Sequence, residues 1–162
     1  LWAAYGANTM RISTFTYSIW FYPTTLSGQQ VLIDQGDDCW ALRTYGSALR
    51  FYTPDGSTYE TTSMSDLQTN TWVNITVTHQ RGSPVRIYRN GSILFTSSSS
   101  YANDKNFYYD WSFGARQVQT TAGYNGYEPF SGRIASIAIY TRELTADEIL
   151  QNYNATKTKF GH

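Results

Sequence analysis

His79, His162, Cys39 and twelve Asp and Glu residues are the side chains from which this chain of 162 residues would have to build a catalytic centre. A nucleophilic serine needs a histidine beside it and a sharp turn to present it, and the sequence has no Gly-x-Ser-x-Gly elbow. Zinc needs clustered Cys and His ligands, and two histidines and one cysteine at these separations have no ligand spacing. His79 shares an alternating face with Val73, Ile75 and Val77 and reads as structural, while Cys39 beside Trp40 reads as a small buried hydrophobe. Calcium takes about six to eight oxygens from carboxylates and turn carbonyls, so Asp37 and Asp38 in one loop and Asn103 and Asp104 in another are candidate ligands. The same residues also serve ordinary turns by bonding their own backbone. Sugar recognition uses exposed aromatic rings with amides and carboxylates around them, because a phenol ring is apolar on its face and wet at its hydroxyl. Two segments carry that mixture, Phe107-Tyr108-Tyr109-Asp110-Trp111 and Tyr124-Asn125-Gly126-Tyr127-Glu128. Tyr124, Asn125, Tyr127, Tyr108 and Asp110 are the candidate ligand-binding residues.

These groups need a scaffold, and the composition says which kind. Charged residues make up 15% and aromatic residues 17%, a balance that suits pleated strands and turns rather than surface helices. Lys plus Arg equals Asp plus Glu at 12 each, so no long-range field draws in nucleic acid or anionic lipid. No apolar run approaches the roughly 20 residues of a membrane span. A single cysteine excludes an intramolecular disulfide. The length suits one domain, residues 1–162, and a chain that starts at Leu1 is expected to be part of a longer one.

Strand signals dominate. Thr14 to Tyr22 alternates, with Phe15, Tyr17, Ile19 and Phe21 on one face, and Pro23 ends it. Val31 to Ile33, Trp40 to Thr44 and Leu49 to Thr53 read as short strands, with Pro54-Asp55-Gly56 a tight turn. Trp72 to Gln80 alternates again, with Val73, Ile75, Val77 and His79 facing a core and Asn74, Thr76 and Thr78 facing water. Val85 to Thr96 is a hairpin on Asn90-Gly91, which predicts Arg89 opposite Ser92, Tyr88 opposite Ile93, Ile87 opposite Leu94 and Arg86 opposite Phe95. Ser97 to Ser100 opens an irregular stretch, Tyr109 to Val118 returns to strand, Thr120 to Pro129 is a loop and Gly132 to Tyr140 is a strand. Thr145 with Glu148 is a capping box and Leu144 with Ile149 a hydrophobic staple, predicting a helix from Ala146 to about Tyr153. Asn74, Asn90 and Asn154 each begin an Asn-x-Ser/Thr triplet, of which Asn90 in its turn is the accessible one.

Phe15-Thr16-Tyr17-Ser18-Ile19-Trp20, then Asn70-Thr71-Trp72-Val73-Asn74-Ile75-Thr76-Val77-Thr78, then Ile87-Tyr88-Arg89-Asn90-Gly91, and last Phe130-Ser131-Gly132-Arg133-Ile134 leading into Ile139 to Ile149, stand in an order that resembles the laminin G-like, concanavalin A-like lectin/glucanase superfamily. The resemblance runs from Ile12 to Tyr153. It implies an all-β, two-sheet antiparallel jelly-roll sandwich with one short C-terminal helix. It does not imply one function, since members include glycan-binding modules, adhesion domains, glycosidase appendages and virion surface proteins. The tail from Gln151 to His162 is similar to tails of such domains in structural proteins of phages and large viruses. In related glucanases one strand carries Glu and Asp at alternate positions, which brings the two carboxyl groups about 5 to 5.5 Å apart. No strand here offers that pair: Glu60 stands alone, Asp34 is separated from Asp37 and Asp38 by a glycine, and Glu143, Asp147 and Glu148 belong to the helix start.

The reading is a non-catalytic, lectin-like module on a virion or extracellular surface that contacts glycans through its loops, within a multimer or larger assembly. The alternative is a purely structural capsid or fibre decoration domain making contacts with neighbouring subunits, and the third is an appendage of a glycosidase. No cofactor is required, calcium being the one candidate. Nucleic acid and a membrane span are excluded from the expected partners.

Overall fold

The computed structural model describes residues 14–35, 40–53, 59–101, 111–120 and 123–162. Cys39 and the Pro54-Asp55-Gly56 turn lie outside the described residues. In chain order the strands are β1 (Phe15–Pro23), β2 (Gln29–Asp34), β3 (Leu42–Tyr45), β4 (Ala48–Tyr52), β5 (Tyr59–Ser63), β6 (Val73–His79), β7 (Ser83–Arg89), β8 (Ser92–Tyr101), β9 (Ser112–Phe113), β10 (Arg116–Thr120), β11 (Gly123–Tyr127) and β12 (Gly132–Tyr140). One helix, α1 (Ala146–Thr156), runs into a 3-10 turn over Lys157–Phe160. The fold class is the expected one: all-β, with two five-stranded antiparallel sheets and a C-terminal helix. The chain forms two compact units and passes between them repeatedly, β1, β6, β7, β8, β12 and α1 belonging to one and the remaining strands to the other.

In the helix-bearing unit the sheet order is β12-β1-β6-β7-β8. The alternation in β1 has the predicted consequence, since Phe15, Tyr17, Ile19 and Phe21 are all fully buried. Register lines them up with like residues: Tyr17 between Val77 and Ile139, Ile19 between Ile75 and Ile137, Phe21 between Val73 and Ile134. Burial also pushes the Tyr17 phenol well above its ordinary pKa. His79 is structural, as expected, buried and packed at 5.7 Å from the Phe15 ring.

The opposite face corrects the sequence reading. Asn74, Thr76 and Thr78 were expected to be wet and are instead buried. The physical reason is α1 and the segment leading to it. Leu144 and Ile149, the predicted staple, close over Tyr88 and the partly buried Tyr140, and the Leu144 amide donates to Thr16 Oγ1 at 2.9 Å. The covered polar groups satisfy one another. Asn74 Nδ2 donates to Ser18 Oγ at 3.0 Å, Thr76 Oγ1 to Ser18 Oγ at 2.9 Å and Thr78 Oγ1 to Glu143 Oε1 at 3.1 Å.

The Asn90-Gly91 turn forms with φ of 50° and 79°, the two positive values expected of it. Arg89 pairs with Ser92 and Tyr88 with Ile93 as predicted. A bulge between Ile87 and Tyr88 then moves the ladder, so Ile87 meets Phe95 and Arg86 meets Thr96, one residue beyond the predicted partners. The serine run is strand, not loop: β8 continues to Tyr101, which pairs with Ser83. A second irregularity, between Pro84 and Arg86, diverts the Val85 amide to Ser97 Oγ at 2.9 Å. Asn90 in that turn is half-buried. Its Oδ1 accepts the Asn74 amide at 3.0 Å while its own amide donates to the Asn74 carbonyl at 3.0 Å, and a Cβ added at Gly91 would stand 3.0 Å from Leu150 Cδ1 of α1. Helix α1 itself is capped as expected, with Thr145 and Glu148 bonded reciprocally.

In the other unit the sheet order is β5-β4-β3-β2-β9, accompanied by a two-stranded ribbon of β10 and β11. The Thr120 to Pro129 stretch, expected as a loop, is largely the second strand of that ribbon, and Tyr59–Ser63 is a strand that the sequence reading left unassigned. The outer edge of β2 is closed piecewise. β9 pairs with Ile33 and Asp34, the Gly114 amide donates to the Leu32 carbonyl at 3.1 Å, and the Val31 amide donates to the Glu128 carbonyl at 2.9 Å. The chain leaving the ribbon therefore runs alongside β2.

Candidate functional site

Arg43 and Arg50 sit in the middle of β3 and β4, where a chain so poor in charge has reason to place them only if something meets them. They are direct cross-strand partners, so they share a face. Val31 of β2 stands opposite Arg43, and Gln29, two residues earlier on the same strand, stands opposite Tyr45. Because Val31 also holds the Glu128 backbone, Glu128 lies beside this face from the other side of β2.

The side chains form one connected network. Arg43 is ion-paired with Glu128 at 3.1 Å and lies 3.9 Å from the Asp34 carboxylate. Gln29 Nε2 donates to Glu128 Oε1 at 2.8 Å, and Gln29 Oε1 accepts from Arg50 Nη1 at 2.8 Å and from the Tyr52 hydroxyl at 3.4 Å. The Arg43 guanidinium lies 4.3 Å over the Tyr52 ring and that of Arg50 3.7 Å over the Tyr45 ring. Burial is graded across the network. Asp34 and Arg43 are buried, Gln29, Arg50 and Glu128 are half-buried, and Tyr45 is 49% exposed. A buried guanidinium needs pairing to offset its lost hydration, and two carboxylates and a phenol ring supply it. What reaches solvent is a planar cation, a carboxylate, an amide and a phenol ring: groups that bind oxygen-rich, flat-faced molecules.

The predicted site residues divide three ways. Tyr127, 48% exposed, immediately precedes Glu128 and borders this network along the chain. Tyr124 and Asn125 are in β11, opposite Gln119 and Val118, while Tyr127 is opposite Arg116. Tyr108 and Asp110, and the calcium candidates Asp37, Asp38, Asn103 and Asp104, lie outside the described residues. Among the described residues no group of three His, Cys, Asp or Glu could hold a metal ion. The sequence reading missed Gln29, Arg43, Tyr45, Arg50 and Tyr52. The available signal was a pair of arginines inside short strands, three positions before and four after Gly46.

A second concavity, of about 150 Å³, lies in the helix-bearing unit between its sheet and α1, walled by Ser18, Asn74, Thr76, Ser136, Asn152 and Thr156 among others. It carries no charged group, and most of its polar atoms are bonded to each other, as Trp20 Nε1 is to Thr156 Oγ1 at 3.2 Å. The mutual bonding of its walls and the lack of a projecting charge make it a packing gap.

A family model described as the Concanavalin A-like lectin/glucanases superfamily matches residues 2–150. Among curated proteins none matches the chain. Solved structures with a similar fold include one described as "Cell entry of botulinum neurotoxin type C is dependent upon interaction with two ganglioside molecules", at 19% identity and TM-score 0.62 over 88% of this chain and 36% of that one. Another is the binding domain of botulinum neurotoxin DC in complex with rat synaptotagmin II, at 16% identity and TM-score 0.63 over 89% of this chain and 36% of that one. A third is the Ruminococcus gnavus IT-sialidase CBM40 bound to alpha2,3 sialyllactose, at 14% identity and TM-score 0.65 over 88% and 83%. The chain thus spans little more than a third of the toxin structures, and identities this low speak for the fold alone.

Proposed function

Since the chain belongs to the Concanavalin A-like lectin/glucanases superfamily, we propose that it is a non-catalytic glycan-binding module whose sugar site is the face built by Gln29, Arg43, Tyr45, Arg50 and Glu128. The observation that carries this reading is the half-exposed Arg50 stacked on the exposed Tyr45 and bonded to Gln29, which presents an aromatic face and fixed donors to one ligand. Structures of similar fold described with gangliosides and with sialyllactose support it. So does the engagement of both carboxylates on this face with Arg43, which leaves no pair standing apart as acid and nucleophile. Display on a virion or extracellular surface belongs to the same proposal.

A glycan array tests it. The chain retains a defined subset of glycans, and Tyr45→Ala or Arg50→Ala weakens that retention by about tenfold or more at unchanged melting temperature, the loss of about one stacking or bidentate contact. Absence of any retained glycan, together with an apolar interface to a neighbouring subunit, would establish the structural decoration reading instead.

A further inference from the structure

The Glu128 carboxylate is held in the pose of a bound ligand rather than of a surface counter-ion. Its Oε1 accepts from Gln29 Nε2 at 2.8 Å, and its Oε2 is ion-paired with Arg43 Nη1 at 3.1 Å without a hydrogen bond. It is also the more exposed of the two carboxylates on Arg43: its side chain is 31% exposed, against 0% for Asp34. The backbone that aims it is unusual. Glu128 adopts φ of 52°, a left-handed conformation that residues other than Gly, Asn and Asp seldom take. The Val31 hydrogen bond fixes it there, at the end of the ribbon. Arg43 keeps a second carboxylate, Asp34, when Glu128 leaves. Gln29 is tied to Arg50, so the donors stay in place as well.

We propose that Glu128 is a resident stand-in for the ligand, and that the ligand is a sugar bearing its own carboxylate, which takes the place of the Glu128 side chain on Gln29 and Arg43. This rests on the glycan-binding reading above and names its ligand class. Exchange is isoelectric: one carboxylate replaces another over a guanidinium, and the displaced Glu128 turns into the solvent it already touches. A neutral sugar has nothing to offer Arg43 in return and leaves Glu128 where it is.

Calorimetric titration of the full chain with alpha2,3-sialyllactose, lactose and digalacturonate tests this, using the native protein, Glu128→Gln and Arg43→Lys. The native chain binds an acidic sugar at least about tenfold more tightly than lactose, Glu128→Gln widens that preference for acidic sugars by about another tenfold, and Arg43→Lys, which keeps the charge but loses the planar fork, weakens them. Melting temperatures of the variants establish that each is folded. Equal binding of lactose and acidic sugars, or a Glu128→Gln variant whose preference for acidic sugars is no wider, overturns the stand-in while leaving the glycan reading intact. No binding to these sugars or to any array glycan overturns both.

Discussion

Glu148 is the most strongly perturbed exposed acid in the helix-bearing unit. The Arg142 guanidinium, bonded at 2.7 and 3.0 Å, and then the Thr145 backbone amide hold its carboxyl down to about 2 from an ordinary value of 4.5. A depressed folded pKa means that the unfolded chain takes up the proton first. The contribution of this cap is therefore complete above about pH 4.5 and fades as the pH falls toward 2. Acid titration of the melting temperature shows that loss, and Glu148→Gln flattens it. Thr145→Ala lowers stability by about 1 kcal/mol, read from denaturant melts. Gly91→Ala costs roughly 1 to 2 kcal/mol, because it forces a left-handed φ of 79° on a residue with a Cβ and sets that Cβ 3.0 Å from Leu150. At this scale the sequence was readable wherever partners are close in the chain. The capping box and the Asn90-Gly91 turn are local chemistry. The Arg43–Glu128 and Gln29–Glu128 pairs join β3, β2 and the end of a ribbon, and no spacing rule links those positions.

Strands were legible as elements because alternation is a property of the chain itself, and β1, β6 and β12 fall where it places them. Which face of β6 meets water is not such a property. Asn74, Thr76 and Thr78 carry polar groups, yet α1 and its lead-in cover them, so the polarity serves a buried network rather than hydration. Asn74→Ala removes bonds to Ser18 Oγ and the Ile19 carbonyl and lowers stability by about 1 to 3 kcal/mol in denaturant melts, far more than an exposed asparagine would. The two irregularities in the β7–β8 ladder were equally invisible, since a bulge shifts partners without changing the residues around it. The ribbon strand β11 was hidden by its own glycines and asparagine, which weigh toward loop when only propensity is counted.

For the molecule as a whole, charge balance and aromatic content predicted an all-β chain with no field for nucleic acid, and the family match agrees on the fold. The expected contact surface was only partly placed, since its loops at Asp37, Asp38, Asn103, Asp104, Tyr108 and Asp110 lie outside the described residues. No cofactor is required in the proposed reading, so array binding persists in excess EDTA; its loss there would instead identify a metal-dependent site. The C-terminal segment is a built-in optical probe of the helix-bearing unit. Trp20 is stacked on Phe160 at 4.2 Å and on Tyr153 at 5.8 Å, and Trp72 meets Phe160 at 5.0 Å. Removing residues 157–162 shifts tryptophan emission to the red and lowers the melting temperature. The clasp between Asn74 and Asn90 has a consequence for biosynthesis. Asn74 Nδ2, the atom that would carry an oligosaccharide, is bonded to Ser18 Oγ and the Ile19 carbonyl, so a sugar added there before folding would obstruct the strand pairing. In a eukaryotic secretory host, export then becomes a race between strand closure and glycosylation. Mass spectrometry of protein exported from such a host is expected to find sugar at the exposed Asn154 of α1 and none at the buried Asn74.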